Sequence, residues 1–344
     1  MILLRKKDAP EVIKDYRPIS LIHSFSKLVA KCLANRLAKF LHSLVSPNQS
    51  AFIRGRCIHD NFRSVQLACR YLHSVKRPSI LLKVDIAKAF DTVSWSFLLE
   101  ILEFMGFGRR WRDWISALLS TASTKILLNG RPGARICHAR GLRQGDPLSP
   151  MLFVLVMEVL NGLIRFADQN GYLSHLPSKA AGCRASLYAD DLVVFLAPVQ
   201  GDVDVMKEML RIFGHASGLF TNMDKSVATP IQCSTEQLQL FVSRFGCQIA
   251  HFPCRYLGVP LSVHKLSRSE ELPLINSVAN IIPAWKGNLL NIAGRATLTV
   301  VTLSAIPTHT TIAVCLSPWA VQQIDKKRRA FLWCAALRSL EVSV

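Results

Sequence analysis

A pair of adjacent aspartates, Asp190 and Asp191, interrupts an apolar stretch that runs from Ala185 to Leu196. Alternating apolar residues on both sides are typical of two short β-strands, so the pattern predicts a β-hairpin with the acids at its tip. Two carboxylates held close together repel each other, and burying either is costly unless a cation balances the charge. Mg²⁺ takes oxygen ligands of this kind and shares them with substrate phosphates.

A third carboxylate, Asp85, ends the apolar stretch that begins at Ile80, which is the pattern of a buried strand. Most Asp-Asp pairs are solvated turn residues, but apolar flanks and a third acid at a strand end weaken that interpretation here. A strand-end aspartate beside a hairpin-tip pair is the layout of a two-metal phosphoryl-transfer site. For the nearby Asp91 we favour a local role in a turn or helix cap.

The charge of the chain favours a polyanionic partner. The 344 residues have a formal net charge of +19, and half of them are hydrophobic, which predicts a folded protein with a large core. Residues 1–77 hold fifteen Lys and Arg against four Asp and Glu. Two further basic patches are Arg131, Arg135, Arg140 and Arg143, and Lys326 to Arg329. Each patch alone is typical of a solvated face, but together they indicate attraction of a phosphate backbone.

The ten cysteines include no C-x-x-C pair and no Cys/His spacing typical of zinc, so we expect reduced core cysteines and no zinc site. Residues 296–324 hold no charged side chain, but threonines and two prolines divide them into short pieces, which favours buried helices over a membrane span. The N-terminus has no apolar signal-peptide region and no targeting signal is visible. We therefore expect an intracellular protein, nuclear or cytoplasmic, without a membrane partner.

Apolar periodicity predicts a mixed α+β chain. We expect a helix over 28–44, a helix over 95–105 ending at Gly106, a hairpin over 125–137 with Asn129 and Gly130 in its loop, and a core helix over 150–166. After Pro260 the pattern becomes mostly helical, which predicts a subdomain boundary near this point.

Six sequence blocks resemble, in their order, the reverse transcriptases of LINE-type (non-LTR) retrotransposons, especially those of plants. The blocks are Tyr16-Arg-Pro-Ile-Ser-Leu21, Gly55-Arg-Cys-Ile-His-Asp-Asn61, Asp85-Ile-Ala-Lys-Ala-Phe-Asp91 with Val93-Ser-Trp95, Arg140-Gly-Leu-Arg-Gln-Gly-Asp-Pro-Leu-Ser-Pro150, Tyr188-Ala-Asp-Asp191 and Ser217-Gly-Leu-Phe-Thr-Asn-Met-Asp-Lys-Ser226. Tyr256-Leu-Gly-Val-Pro-Leu261 follows them. Each block alone could arise by chance, but the ordered set is specific.

The resemblance implies an α+β right-hand polymerase with fingers, a palm built on an antiparallel sheet, and a helical thumb. It implies N-terminally truncated fingers at 1–79 and a palm with part of the fingers at 80–262, and the reverse transcriptase domain as a whole would cover about residues 10–262. Residues 263–344 would form the thumb-like region. The implied reaction is DNA synthesis on an RNA template, from dNTPs and a DNA primer.

The resemblance also assigns the metal site. Asp85, Asp190 and Asp191 would be the catalytic acids and would ligate two Mg²⁺ ions, for which Mn²⁺ could substitute. The backbone carbonyl of Ile86 would be a further ligand. Asp191 is the weaker candidate of the three, because a hairpin tip can direct only one of two neighbouring side chains at the metals.

Further residues take nucleotide-binding or catalytic roles by resemblance. Phe90 would be the aromatic floor under the incoming sugar, although its pattern alone favours a core aromatic. Gln144 and Gly145 would contact the template base or the incoming nucleotide, in a turn that also precedes a helix. Lys225 would protonate the leaving pyrophosphate, whereas a lone surface lysine is usually only solvated.

Three arginines and one turn complete the predicted nucleic-acid contacts. Arg17 and Arg56 would bind the triphosphate or template phosphates, because arginine forks match phosphate geometry, although Arg17 could instead pack against the following proline. Arg143 would contact the primer or template. Leu257 and Gly258 resemble the grip on the primer strand, where a glycine allows two backbones to approach.

The chain departs from the family pattern at both ends. It starts inside what should be the opening strand of the fingers, with Arg5 where a proline is common, and residues 334–344 depart from the pattern. We therefore expect a fragment of an element with truncated fingers. Two alternatives stay open: an inactive polymerase relic that at most binds nucleic acid, and a group II intron-type or other reverse transcriptase, since these share the block at 188–191.

Overall fold

The computed structural model describes residues 2–5, 8–12, 15–19, 22–177, 184–280 and 290–333. The chain divides into two compact units, Met1–Ala250 and His251–Val344. The strands are β1 (Ile2–Arg5), β2 (Tyr16–Ile19), β3 (Ser79–Val84), β4 (Ser123–Leu128), β5 (Arg131–Cys137), β6 (Ala185–Tyr188), β7 (Asp191–Leu196), β8 (Val227–Ile231), β9 (Gln248–Ile249), β10 (Cys254–Tyr256) and β11 (Val259–Leu261).

The helices flank these strands in chain order. They are α1 (Ser24–Leu37), α2 (Leu41–Leu44), α3 (Ile58–Ser74), α4 (Ala89–Thr92), α5 (Trp95–Phe104), α6 (Arg109–Ser120), α7 (Ser149–Gln169), α8 (Gln200–Ser217), α9 (Thr235–Phe245), α10 (Arg268–Asn280), α11 (Ile292–Leu298), α12 (Ala305–Ala313) and α13 (Pro318–Leu332). A π-helical turn, Thr299–Leu303, joins α11 to α12.

A five-stranded sheet in the order β6-β7-β3-β8-β9 forms the centre of the first unit. Every neighbouring pair is antiparallel except β8 and β9. The central strand β3 is buried along nearly its whole length because it has a paired strand on each side and apolar residues on both faces. The sheet confirms the predicted hairpin of β6 and β7, whose tip carries the two adjacent aspartates.

Helix α7 is the central core helix of this unit. Eleven of its side chains are buried, and Phe153 to Met157 are fully enclosed. By length and composition alone this helix could cross a membrane. Its apolar character is accounted for by the core cluster, in which it packs with residues of α1, α5, α8 and the central sheet.

The predicted single helix over 28–44 is wrong. The chain forms α1 and α2 with a break at residues 38–40, where the Phe40 amide bonds to the Leu37 carbonyl three residues earlier. The apolar periodicity continues across this break, which is why the sequence predicts one helix. The helix at 95–105 is confirmed, with Gly106 at a φ of +83° after its end.

The second unit combines a hairpin with helices. Strands β10 and β11 pair antiparallel, and helices α10 to α13 follow, which confirms the helical pattern predicted after Pro260. The chain boundary between the units lies at Ala250 and His251, so the hairpin that we placed at the end of the palm belongs to the second unit.

Candidate active site

Asp85 occupies the end of the central strand, and a turn from residue 222 to 226 holds it in place. Its backbone N–H donates to the Ser226 hydroxyl (3.1 Å), and its carbonyl accepts from the Asn222 N–H (2.7 Å). Ser226 is fully buried and also donates to the Asn222 carbonyl (2.8 Å). Both backbone groups of Asp85 are therefore fixed by one turn, which leaves its side chain as the group that can face a ligand.

Asp190 lies at the turn between β6 and β7. The pairing of Val84 with Leu192 places this turn beside the end of β3, so Asp190 and Asp85 belong to the same end of neighbouring strands. The pKa of Asp190 is raised, first by burial and then by the negative charges of Asp191 and Asp85. The predicted convergence of these two carboxylates is therefore visible both in the strand register and in the electrostatics.

Asp191 forms an ion pair with Lys83. The Lys83 Nζ lies 3.0 Å from Asp191 Oδ1, and both side chains are partly exposed. Lys83 is opposite Val193, two residues beyond Asp191, so the pair is a diagonal cross-strand contact. Within the part of the chain that the structure describes, no three His, Cys, Asp or Glu side chains are grouped so as to hold a metal ion. The metal roles of Asp85, Asp190 and Asp191 therefore stay predictions.

Ile86 continues from Asp85 into an isolated bridge with Thr221. The bridge is made by the Ala87 N–H to the Phe220 carbonyl (2.9 Å) and by the Asn222 N–H to the Asp85 carbonyl. These two bonds flank Ile86, whose own carbonyl takes no part in them. The geometry is compatible with the predicted backbone ligand.

Phe90 belongs to the short helix α4 directly after Asp85. Its ring stacks on Phe153 of α7 with centroids 4.6 Å apart and planes inclined by 18°. The Phe90 side chain is only partly buried, and its carbonyl accepts from the Leu142 N–H (2.6 Å). A half-exposed ring with a rigid aromatic support can serve as the predicted floor, which stays a prediction.

The loop that holds Gln144 and Gly145 borders a cavity of about 350 Å³. The cavity is lined by residues from α4, β4, β5 and this loop: Asp91, Thr124, Ile136, His138, Ala139, Arg140, Gly141, Leu142, Arg143 and Gln144. Gly145 has a φ of +98°, which favours glycine, and Gln144 is half-buried. Arg143 donates to the Leu118 carbonyl (3.2 Å), so part of its guanidinium already has a protein partner.

Lys225 lies in the same turn that fixes Asp85. It ends a single 3₁₀ turn, Met223–Lys225, and its side chain is exposed. The structure therefore brings its backbone beside the carboxylate site, as the predicted role as a general acid requires. The protonation of pyrophosphate itself stays a prediction.

Arg56 has a geometry that favours a structural role over the predicted phosphate contact. Its Nη1 donates to the carbonyls of Ser46 and Gln49 (2.6 Å each), and its Nη2 donates to those of Val45 (2.8 Å) and His42 (3.1 Å). Four carbonyl partners tie the end of α2 to the loop that follows it. Arg17 lies on β2, opposite Leu4, and its side chain is outside the described residues.

Leu257 and Gly258 form the tip of the hairpin of β10 and β11 in the second unit. Both have positive φ angles, +47° and +82°, as a two-residue hairpin loop requires. The Leu257 carbonyl contacts His309 Nε2 of α12 at 2.9 Å. Their predicted contact with a primer strand stays a prediction.

Two residues that the sequence reasoning missed shape the site. Ser226, which is buried, closes the sixth block, and its position at the end of that motif was the available sequence signal. Gly141 has a φ of +86°, and a Cβ there would lie 2.5 Å from the Asp91 carbonyl oxygen. Its N–H donates to the Val93 carbonyl and its carbonyl accepts from Trp95 Nε1, both at 2.8 Å. The glycine thus joins the Gln144 loop, residues 138–148 between β5 and α7, to the Phe90 turn, which comprises α4 and residues 93–95.

Comparison with known proteins identifies relatives. The family model described as "Reverse transcriptase (RNA-dependent DNA polymerase)" matches residues 4–261. The "Transposon TX1 uncharacterized 149 kDa protein" of Xenopus laevis is 30% identical over 341 residues, which are 96% of this chain and 25% of that protein. The "Retrovirus-related Pol polyprotein from type-2 retrotransposable element R2DM" of Drosophila melanogaster is 29% identical over 264 residues, 75% of this chain and 23% of that protein.

One solved structure establishes the fold. The RNA-dependent RNA polymerase of a human picorbirnavirus superposes with a TM-score of 0.54 at 14% identity, over 96% of this chain and 58% of that one. The predicted right-hand polymerase fold and the predicted likeness to non-LTR retrotransposon reverse transcriptases are confirmed. The likeness to plant members in particular stays a prediction. The chain spans about a quarter of the length of these two curated relatives.

Proposed function

The chain belongs to the reverse transcriptase (RNA-dependent DNA polymerase) family, and we propose that it extends a DNA primer on an RNA template with dNTPs. The observation that carries the proposal is the juxtaposition of Asp85 and Asp190 at one end of the central sheet, where burial and then the negative charges of Asp191 and Asp85 raise the pKa of Asp190. Such a pair is unfavourable in a metal-free protein and becomes favourable when cations balance it.

Polymerases of this family generally use divalent metal ions, and the donors present here fit Mg²⁺. Carboxylate oxygens and a backbone carbonyl are the hard ligands that this ion prefers, and few protein ligands leave positions for substrate phosphates. Asp85, Asp190 and the Ile86 carbonyl would hold the ions, with Mn²⁺ as a substitute. When bound, the ions would activate the attacking primer oxygen and neutralise charge on the triphosphate.

The remaining residues would position the substrates. The Phe90 ring, supported by Phe153, would lie under the sugar of the incoming dNTP and leave no room for a 2′-hydroxyl. Gln144, which lines the 350 Å³ cavity, and the neighbouring Gly145 would contact the template base or the nucleotide. Lys225 would give a proton to the leaving pyrophosphate. Positioning and electrostatics would supply most of the rate enhancement.

Primer extension tests the proposal. Purified protein receives an RNA template, a labelled DNA primer, dNTPs and Mg²⁺, and Asp190→Asn and Asp204→Asn are assayed in parallel. Asp204 is a suitable control because it is an exposed aspartate in a surface ion pair with Arg244 (3.1 Å). We expect extension by the wild type and by Asp204→Asn, loss of at least about 100-fold in Asp190→Asn, and loss in all variants after chelation.

The same assay separates the rival function, a polymerase relic that only binds nucleic acid. Its supporting observation is the net charge of +19, which needs no active site to attract RNA or DNA. Folded wild-type protein that binds the primer–template without extending it would refute the polymerase proposal and support the relic.

A further inference from the structure

The direction of the Asp190 carboxylate depends on the residue before it. Ala189 has a φ of +55°, in the left-handed region that non-glycine residues avoid. The pairing of Tyr188 with Asp191 leaves Ala189 and Asp190 as the two residues of the turn. An unfavourable backbone conformation persists at such a position only when its surroundings hold it.

The side chain of Gln49 contacts both backbone groups of Ala189. Its Oε1 accepts from the Ala189 N–H (3.1 Å) and from the Ala51 N–H (3.0 Å), and its Nε2 donates to the Ala189 carbonyl (3.4 Å). Gln49 is 1% exposed, so these bonds are shielded from water. Two N–H donors at one oxygen also fix the orientation of the amide.

The segment that carries Gln49 is itself fixed to β6. Gln49 and Leu187 form a parallel bridge, with the Leu187 N–H donating to the Asn48 carbonyl (2.9 Å) and the Ser50 N–H donating to the Leu187 carbonyl (3.3 Å). Asn61 of α3 donates to the carbonyls of Asn48 (2.9 Å) and Leu187 (2.8 Å). Gln49 therefore projects from a rigid extension of the sheet.

We propose that Gln49 is a positioning residue for the carboxylate site: it holds Ala189 in the left-handed conformation and thereby directs Asp190 toward Asp85. The catalytic importance of this role rests on the proposed polymerase function, whereas the backbone contact does not. A displacement of the order of 1 Å at a reacting group can cost about 100-fold in rate, so loss of the support should lower kcat.

The test compares Gln49→Met with Gln66→Met. Methionine is close in size to glutamine and removes the amide, and Gln66 is a matched control because it is also buried, at 7% exposure, but lies on α3 outside the 48–51 segment. We expect Gln49→Met to lower kcat for primer extension by about 10-fold or more and to change the KM for primer–template by less than about twofold. Gln66→Met should leave kcat near wild type.

A second variant separates positioning from packing. Glycine adopts positive φ without strain, so Ala189→Gly in the Gln49→Met background should restore part of the lost kcat. A role in packing alone predicts no such rescue. Equal losses of kcat in Gln49→Met and Gln66→Met, or a double variant no better than Gln49→Met, would overturn the proposal.

Amide hydrogen exchange provides a readout that does not depend on activity. In Gln49→Met, peptides that cover 185–196 should exchange faster than in wild type, whereas Gln66→Met should leave them unchanged. If the wild type extends no primer but this difference is seen, the polymerase function fails and the support of the turn by Gln49 stands. Unchanged exchange in Gln49→Met would refute the support itself.

Discussion

At Asp190, the proposed catalytic role and the stability of the folded protein make opposite demands on the carboxylate. Burial and the charges of Asp191 and Asp85 raise its pKa, so its ionised form destabilises the folded, metal-free protein. We expect Asp190→Asn to raise the free energy of unfolding in the presence of a chelator at pH 7. Urea denaturation of the two proteins measures this difference.

The pH dependence of that gain follows from the direction of the shift. A carboxyl whose pKa is raised on folding costs stability in full above the raised pKa. The cost shrinks as pH falls through the raised pKa and is absent below the ordinary value of the unfolded chain, where both states are protonated. The advantage of Asp190→Asn should therefore shrink under acidic conditions. Asp191→Asn should raise the free energy of unfolding by less than Asp190→Asn, because it loses the ion pair with Lys83. A lower stability for Asp190→Asn at pH 7 would contradict the argument.

Short blocks were sufficient to predict where the backbones of Asp85 and Asp190 lie, at a strand end and at a hairpin tip, while their catalytic role stays a prediction. They did not predict the four carbonyl partners of Arg56, which include His42 and Gln49 on either side of a turn. The ion pair of Asp191 with Lys83 was equally inaccessible, because it depends on the register between β3 and β7. Contacts set by register or by chain reversal require the folded backbone.

At the scale of elements, the hairpins and helices with local signals were predictable. Asn129 and Gly130 both have positive φ in the loop of β4 and β5, as their sequence indicates. The break between α1 and α2 was not predictable from the sequence, because the apolar periodicity continues through it. The junction between the Gln144 loop and the Phe90 turn was also unforeseen, since it depends on Gly141 fitting against a distant backbone.

That junction yields a prediction with an internal control. Gly130 and Gly141 have similar φ angles, +76° and +86°, but a Cβ at Gly130 meets nothing within 4 Å, whereas at Gly141 it meets Asp91. Gly130→Ala should lower the free energy of unfolding by about 1–2 kcal/mol from backbone strain. Gly141→Ala should lower it by clearly more, and chemical denaturation measures both. Equal losses would mean that the close approach to Asp91 is unimportant.

For the whole molecule, the sequence predicted the charge but only part of its placement. In the patch at 326–329, Lys326 and Arg329 are exposed, whereas Lys327 is buried, which lowers its pKa, and Arg328 contacts Asp325 and Ser304. Two of the four basic side chains of that patch, Lys327 and Arg328, are therefore buried or bonded within the protein. Among the early basic residues, Arg54 is exposed beside Gly55, where it can meet a phosphate backbone.

The net charge makes nucleic-acid binding dependent on salt, and this dependence tests where the contacts lie. A protein that neutralises six to ten phosphates loses roughly 10³- to 10⁵-fold in affinity between about 50 and 200 mM salt. We expect a steep loss of this kind for primer–template binding, measured by fluorescence anisotropy.

Arg54→Ala should weaken binding and lower the salt slope by about 1. Lys207→Ala removes the same charge from an exposed position on α8, where the ammonium donates to the Arg244 carbonyl (2.7 Å), and should leave the slope unchanged. Equal effects of the two variants would indicate a diffuse attraction to net charge, and a flat salt dependence would contradict phosphate contacts altogether.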